Sequence, residues 1–282
     1  MSRFRSDDAP ALIRAARADA GLTQLELARR AGLRQPSLAQ MESGTRPVSE
    51  QMLERVLRAA GYRPSVPLST HADEIIERAR AHGLEALRVF GSVVRGEDGF
   101  DSDIDLVITP SAGTDLFDLA LFVHEVEELT GFPTDVVSDT NVPAALADAV
   151  RGAAVSEGHD QARFAPRPRR QATNSHDRAN LDAELELIRA RIDTVTARGR
   201  EDFHDGKETY DVACMVIIRL AALLERPEFE PHMEAVTQQE RLAIRTTRNI
   251  AAHTGYRSMN DDLFWLAVTQ RVPAILDRLR GR

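Results

Sequence analysis

Residues 91–105 read Gly-Ser-Val-Val-Arg-Gly-Glu-Asp-Gly-Phe-Asp-Ser-Asp-Ile-Asp, a Gly-Ser pair followed, after ten residues, by Asp-x-Asp. The run Leu87 to Phe90 before it is β-prone, so Gly91 and Ser92 fall where a strand turns into a helix. Backbone N–H groups left free at such a turn can hold a phosphate. Asp103 and Asp105 open a second strand, Ile104 to Thr109, and the period of two places both carboxylates on one face. Two such charges about 4 Å apart repel by roughly 4 kcal/mol at an effective dielectric of 20, a cost that a divalent cation between them reverses. The pair calls for Mg²⁺. A third carboxylate, Asp135, opens the β-prone run Thr134 to Val137, from which it can reach the same metal. Three carboxylates and a phosphate turn suit in-line attack on a nucleoside triphosphate. Asp-x-Asp alone would read as a hairpin with acidic turn residues; the Gly-Ser at this spacing makes the catalytic reading the stronger one.

These residues resemble the minimal nucleotidyltransferases of the DNA polymerase β superfamily, with the signature matched at Gly91, Ser92, Asp103, Asp105 and Asp135. The resemblance implies a small α/β domain with a mixed sheet. It also implies ATP as substrate, Mg²⁺ as cofactor, Gly91 and Ser92 at the phosphates, and the three aspartates as metal-binding catalytic groups. Arg95 is placed to help neutralise the triphosphate, although Glu97 and Asp98 nearby offer it a surface pairing instead.

The 282 residues suffice for two or three compact domains, and the chain reads as three. A net charge of −8 argues against a chain coated in nucleic acid but leaves room for a local basic face. The single cysteine, Cys214, lies in an apolar run and is expected to be buried in a reducing compartment. No apolar stretch approaches the roughly 18 residues of a membrane span, and the opening residues lack a signal segment, so a cytoplasmic protein is expected. Two shifts in composition mark the joints. Gly61 to Ser69, with two prolines, reads as a short stiff connector, and Gln161 to Ser175, basic and without hydrophobic period, as a longer linker. The expected division is 1–64, a linker at 65–71, 72–160, a linker at 161–176, and 177–282.

In the first domain four short helical pieces are expected: 11–20, 23–31, 35–43 and 49–60, with N-caps at Thr23 and Ser49 and stops at Gly21, Gly32, Gly44 and Gly61. The sequence from Gly21 to Gly44 resembles the helix-turn-helix of the Cro/phage-repressor (XRE) family, with Leu25, Ala28, Leu33, Leu38 and Met41 on the buried side. By that resemblance the second helix of the pair enters the major groove of operator DNA, presenting Arg34, Gln35, Ser37 and Gln40. Gln35 and Gln40 can make bidentate contacts to adenine, and Thr45 and Arg46 can hold phosphate. A helical domain used only for dimerisation or docking would need the same leucines.

From residue 177 the pattern becomes long amphipathic helices at 177–198, 207–225, 238–254 and 261–280, an all-α bundle centred on the second. Arg248-Asn-Ile-Ala-Ala-His253-Thr-Gly-Tyr256 resembles the Arg-x4-His motif of HEPN ribonucleases of the HepT type. A histidine near neutrality can move the proton of an RNA 2′-hydroxyl or of the leaving oxygen, and Arg248 can stabilise phosphorane charge, without a metal. Residues 248 and 253 lie about 140° apart around an ideal helix, whereas Asn249 and His253 share a face and make Asn249 a supporting residue. A working site therefore needs a curved helix end or a second copy, and the resemblance implies a homodimer.

In the HepT/MntA toxin–antitoxin family the nucleotidyltransferase silences the ribonuclease by placing AMP on a tyrosine just after the catalytic histidine. The corresponding residue here is Tyr256, one position further on than the family pattern. The resemblance thus implies toxin, antitoxin and DNA-binding module in one chain, acting on RNA and regulating itself. Two other readings stand beside it: a transcription regulator with a nucleotide-sensing module, and an adenylyltransferase for a small molecule of the aminoglycoside type.

Overall fold

The structure, a computed structural model, describes residues 3–141, 175–253 and 259–281. The N-terminal part is a helical bundle of α1 (Ala9–Asp19), α2 (Gln24–Arg30), α3 (Gln35–Glu42) and α4 (Glu50–Ala60). Thr23 and Glu26 form a reciprocal capping box at the start of α2. Ser49 caps α4, which ends at Gly61 in the left-handed conformation. Leu27, Ala28, Leu38, Met41, Leu53 and Leu57 fill the core. Leu25 does not join them: it is 47% exposed. Residues 65–71, expected to be a connector, instead contain a helical turn, α5 (Ser65–Thr70), followed directly by α6 (Ala72–Ala81). Its prolines permit this, since Pro64 sits at the cap and Pro67 in the first turn, where a missing N–H breaks no helical bond.

The central domain holds a three-stranded mixed sheet in the order β1 (Leu84–Phe90), β2 (Ile104–Pro110), β3 (Thr134–Ser138). The first pair is antiparallel and the second parallel. A short helix, α7 (Gly91–Arg95), follows β1, and α8 (Leu116–Thr130) forms the crossover between β2 and β3. Asp115 caps α8 by accepting from the Phe117 and Asp118 N–H groups. Leu116, Phe117, Leu119, Ala120, Leu121, Phe122, Val123 and Val126 of α8 are all buried. A helix covered on one side only would show polar residues on the other; α8 is covered on both.

Its second cover is the C-terminal domain, a helical bundle of α9 (Ser175–Arg198), α10 (Glu208–Leu224) and α11 (Gln238–His253) followed by a broken terminal helix. Helix α11 packs along α8, so the two domains share a core rather than hang on a tether. At the edge of that contact Arg271 faces Asp115 at 3.7 Å and Asp118 at 3.4 Å. The terminal helix, expected to be continuous over 261–280, is α12 (Asp261–Leu266), a π turn at Ala267–Arg271, and α13 (Val272–Arg280). Pro273 has no N–H to offer the carbonyl one turn back, and the wider turn accommodates its ring. Cys214 is buried in α10 as expected. Among the described residues no helix is long and apolar enough to cross a membrane.

Candidate active site

Strand pairing brings the carboxylates together. Asp105 on β2 lies directly opposite Asp135 on the parallel strand β3, so both side chains leave the same face of the sheet. Asp103, two residues before Asp105 and just outside the strand, completes a cluster in which one oxygen from each residue lies within 4.8 Å of the others. Asp103 is exposed and the other two are half-buried. Burial pushes the Asp105 carboxyl up to about 6, helped by the charges of Asp103 and Asp135 and opposed by Arg95 and by the Ser92 N–H it accepts from. Burial likewise raises Asp135, with Asp103 adding to it. Two carboxylates raised in this way, with Asp103 beside them, make a donor set suited to a hard divalent cation bound through oxygen.

The turn before α7 supplies the other half. Gly91 has φ +73°, and a Cβ placed on it would lie 2.7 Å from the Asp105 Cγ, so glycine is required both by backbone and by space. The Ser92 hydroxyl is buried and has no hydrogen-bond partner among the described residues. A hydroxyl in that condition beside an acidic cluster fits a phosphate oxygen or its metal ion. Arg95 is exposed and paired with Glu97 at 2.7 Å, the surface alternative that its neighbours offered.

A cleft of about 580 Å³ reaches the cluster at Asp135 and runs between α8 and α11; Asp103 and Asp105 lie outside its walls. Its C-terminal wall includes Arg245 and Asn249. Neither the cleft nor Arg245 was legible in the sequence, although the apolar run 116–126 was the available sign that a second domain covers α8.

Arg248, also on α11, is paired with Glu225 at the end of α10 (2.8 Å) and lies 3.4 Å from the Asn249 Oδ1. His253 is the last residue of α11; its side chain and Tyr256 lie outside the described residues. In the N-terminal domain Arg34, Gln40, Thr45 and Arg46 are exposed at α3 and the turn after it, and Ser37 is half-buried. Gln35 differs from expectation: its amide nitrogen donates to the Gln24 Oε1 at 2.9 Å, so a bidentate contact to adenine requires that bond to open. The Thr45 hydroxyl is 2.9 Å from that of Ser43.

Residues 13–66 match the helix-turn-helix family and residues 70–158 the nucleotidyltransferase domain family, so the two matches meet within α5. Over 82 residues the chain is 33% identical to a Methanocaldococcus jannaschii protein that bears the provisional name protein adenylyltransferase MJ0435, a stretch covering 29% of this chain and 88% of that relative. No solved structure matches the chain.

Proposed function

The chain belongs to the nucleotidyltransferase family through its central domain, and from that premise we propose that it is a protein adenylyltransferase acting on its own C-terminal domain. The observation that carries this reading is the shared cleft, in which Asp135 of the acidic cluster and Asn249 of α11 line one cavity. The functional units are residues 1–64, 72–160 and 177–282, joined at 65–71 and 161–176.

In this reading ATP lies with its phosphates on Gly91 and Ser92. Mg²⁺, held by Asp103, Asp105 and Asp135, supplies charge neutralisation of the phosphates and the leaving group. The hydroxyl oxygen of Tyr256 bonds to the α-phosphorus, the bond from that phosphorus to the bridging oxygen breaks, and pyrophosphate leaves with the electron pair. The phenolic proton passes to water. Tyr62 and Tyr210, the other two tyrosines, are 2% and 0% exposed, which supports Tyr256 as the acceptor.

The C-terminal bundle is read as a HEPN-type ribonuclease with Arg248 and His253 acting on RNA and Asn249 supporting them. An AMP group on Tyr256 blocks RNA by bulk and charge. The exposed Met215 and Ile218, one turn apart on α10, support a homodimer through this domain. The N-terminal domain binds DNA through Arg34, Gln35, Ser37, Gln40, Thr45 and Arg46, the operator of its own gene being the natural target.

The test is to incubate protein freed of prior modification with ATP and Mg²⁺, measure intact mass, and map any adduct by peptide fragmentation. AMP on Tyr256, absent in Asp103→Asn/Asp105→Asn, is the expected result. An unmodified chain that nonetheless labels a small-molecule acceptor would sink self-modification and favour the small-molecule transferase. Operator binding with no transfer at all would favour the regulator.

A further inference from the structure

The wall of the Asp135 cleft contributed by α11 carries a cation that makes no ion pair among the described residues. Three arginines lie along the middle of this helix, and two are committed: Arg241 to Glu230 at 2.9 Å and Arg248 to Glu225 at 2.8 Å. Arg245 has neither an ion pair nor a hydrogen bond among the described residues, yet it lines both the 580 Å³ cleft and a second cavity of about 380 Å³ beside it. The other cations of the cleft are occupied, Arg3 by the Gly131 and Phe100 carbonyls and Arg5 by Asp8. Asn249, one turn beyond Arg245 on the same face, adds an exposed amide to the same wall. Opposite them the lining combines apolar side chains, Leu119, Val123 and Phe132, with the carboxylates of Glu127 and Glu128 and the imidazole of His124.

Apolar patches, one uncommitted guanidinium, one amide and carboxylates suited to a divalent cation together match the chemistry of a nucleotide bound with its metal ion. We propose that α11 forms part of the nucleotide site: Arg245 binds the polyphosphate of the nucleoside triphosphate, and Asn249 meets the base or sugar edge. The inference rests on the nucleotidyltransferase reading of the central domain and adds that the C-terminal domain supplies binding residues to it within one chain. The guanidinium fork suits phosphate oxygens bidentately.

The experiment measures ATP affinity of the full-length protein by calorimetry with Mg²⁺, for the wild type and for Arg245→Ala, Arg245→Lys and Asn249→Ala, with Mn²⁺ affinity in the absence of nucleotide as a second readout. Arg245→Ala is expected to weaken ATP roughly tenfold or more, with partial recovery in Arg245→Lys and unchanged Mn²⁺ affinity. Asn249→Ala is expected to reduce discrimination between ATP and GTP. Wild-type ATP affinity in Arg245→Ala, with ATP still lost in Asp103→Asn/Asp105→Asn, overturns this inference and leaves the nucleotidyltransferase reading standing. Failure of the wild type to bind any triphosphate overturns both. Arg245 is exposed, so equal melting temperatures without ATP verify that the variant is folded.

Discussion

Gly91 lies against Asp105 so closely that a methyl group on the glycine would overlap the carboxylate Oδ2. The strand pairing that sets Phe90 opposite Asp105 creates this contact, and the turn at φ +73° continues it. Gly91→Ala is therefore expected to displace Asp105 and to reduce AMP transfer by at least about 100-fold, the scale of losing a positioned catalytic group. Backbone strain adds about 1–3 kcal/mol of destabilisation, read by urea unfolding. An alanine variant with wild-type transfer would remove Asp105 from the site.

Proton and metal compete for the acidic cluster. With the Asp105 carboxyl raised to about 6 in the folded chain, its contribution to stability is present at low pH and is lost as pH rises through about 6, because ionising it beside Asp103 and Asp135 is unfavourable. Mg²⁺ reverses that loss by binding the ionised form. The rise in melting temperature on adding Mg²⁺ should be small at pH 5 and larger at pH 7.5, and Asp105→Asn should abolish most of it. A shift independent of pH would place the ion elsewhere.

In the helix-turn-helix domain Arg17 holds the buried Glu42 through two contacts, Nε to Oε1 at 2.6 Å and Nη2 to Oε2 at 3.2 Å, while Gln24 donates to the same carboxylate at 2.8 Å. Arg17→Met leaves a buried carboxylate without its cation. Because the arginine is itself a quarter exposed, a loss of about 2–3 kcal/mol is expected, at or below the range for a fully buried pair. DNA affinity should fall with it, since Gln24 also positions Gln35.

The N-terminal segment couples two domains. Phe4 packs edge-on against Tyr62 (5.8 Å between centroids) and Phe132 (5.6 Å), and its ring occupies the space a side chain at Gly131 would need. Phe4→Ala should cost about 3 kcal/mol and expose the junction of the first two domains to limited proteolysis. Unchanged cleavage kinetics would show that the domains are held by other contacts, such as Arg58 with Asp101 at 2.7 Å.

Glu225 pairs with Arg248, the residue we propose to stabilise phosphorane charge. The pair is partly exposed, so Glu225→Gln should change stability by less than about 1 kcal/mol. In chain free of AMP it should raise RNA cleavage several-fold, and Arg248→Ala should remove the gain. Lower cleavage in Glu225→Gln would instead make the carboxylate a supporting group of the site.

Local chemistry determined much of this protein from sequence. Capping residues at Thr23 and Ser49 and the stops at Gly32 and Gly61 delimit helices through bonds made within a few residues. The spacing of Gly91, Ser92, Asp103 and Asp105 requires only one strand-turn-strand unit to become a site, so it is readable in one dimension. Burial and partnership are decided over longer distances. Leu25 is exposed although the pattern put it in the core, and Gln35 is held by Gln24, eleven residues away. The three-domain pattern suggested units on linkers, whereas the two-sided burial of α8 by the sheet and by α11 makes a common core of the second and third. That packing alone brings Arg245 and Asn249 to the cleft of Asp135, more than 100 residues away in the chain, because apolar faces of separate domains gain stability only when they meet.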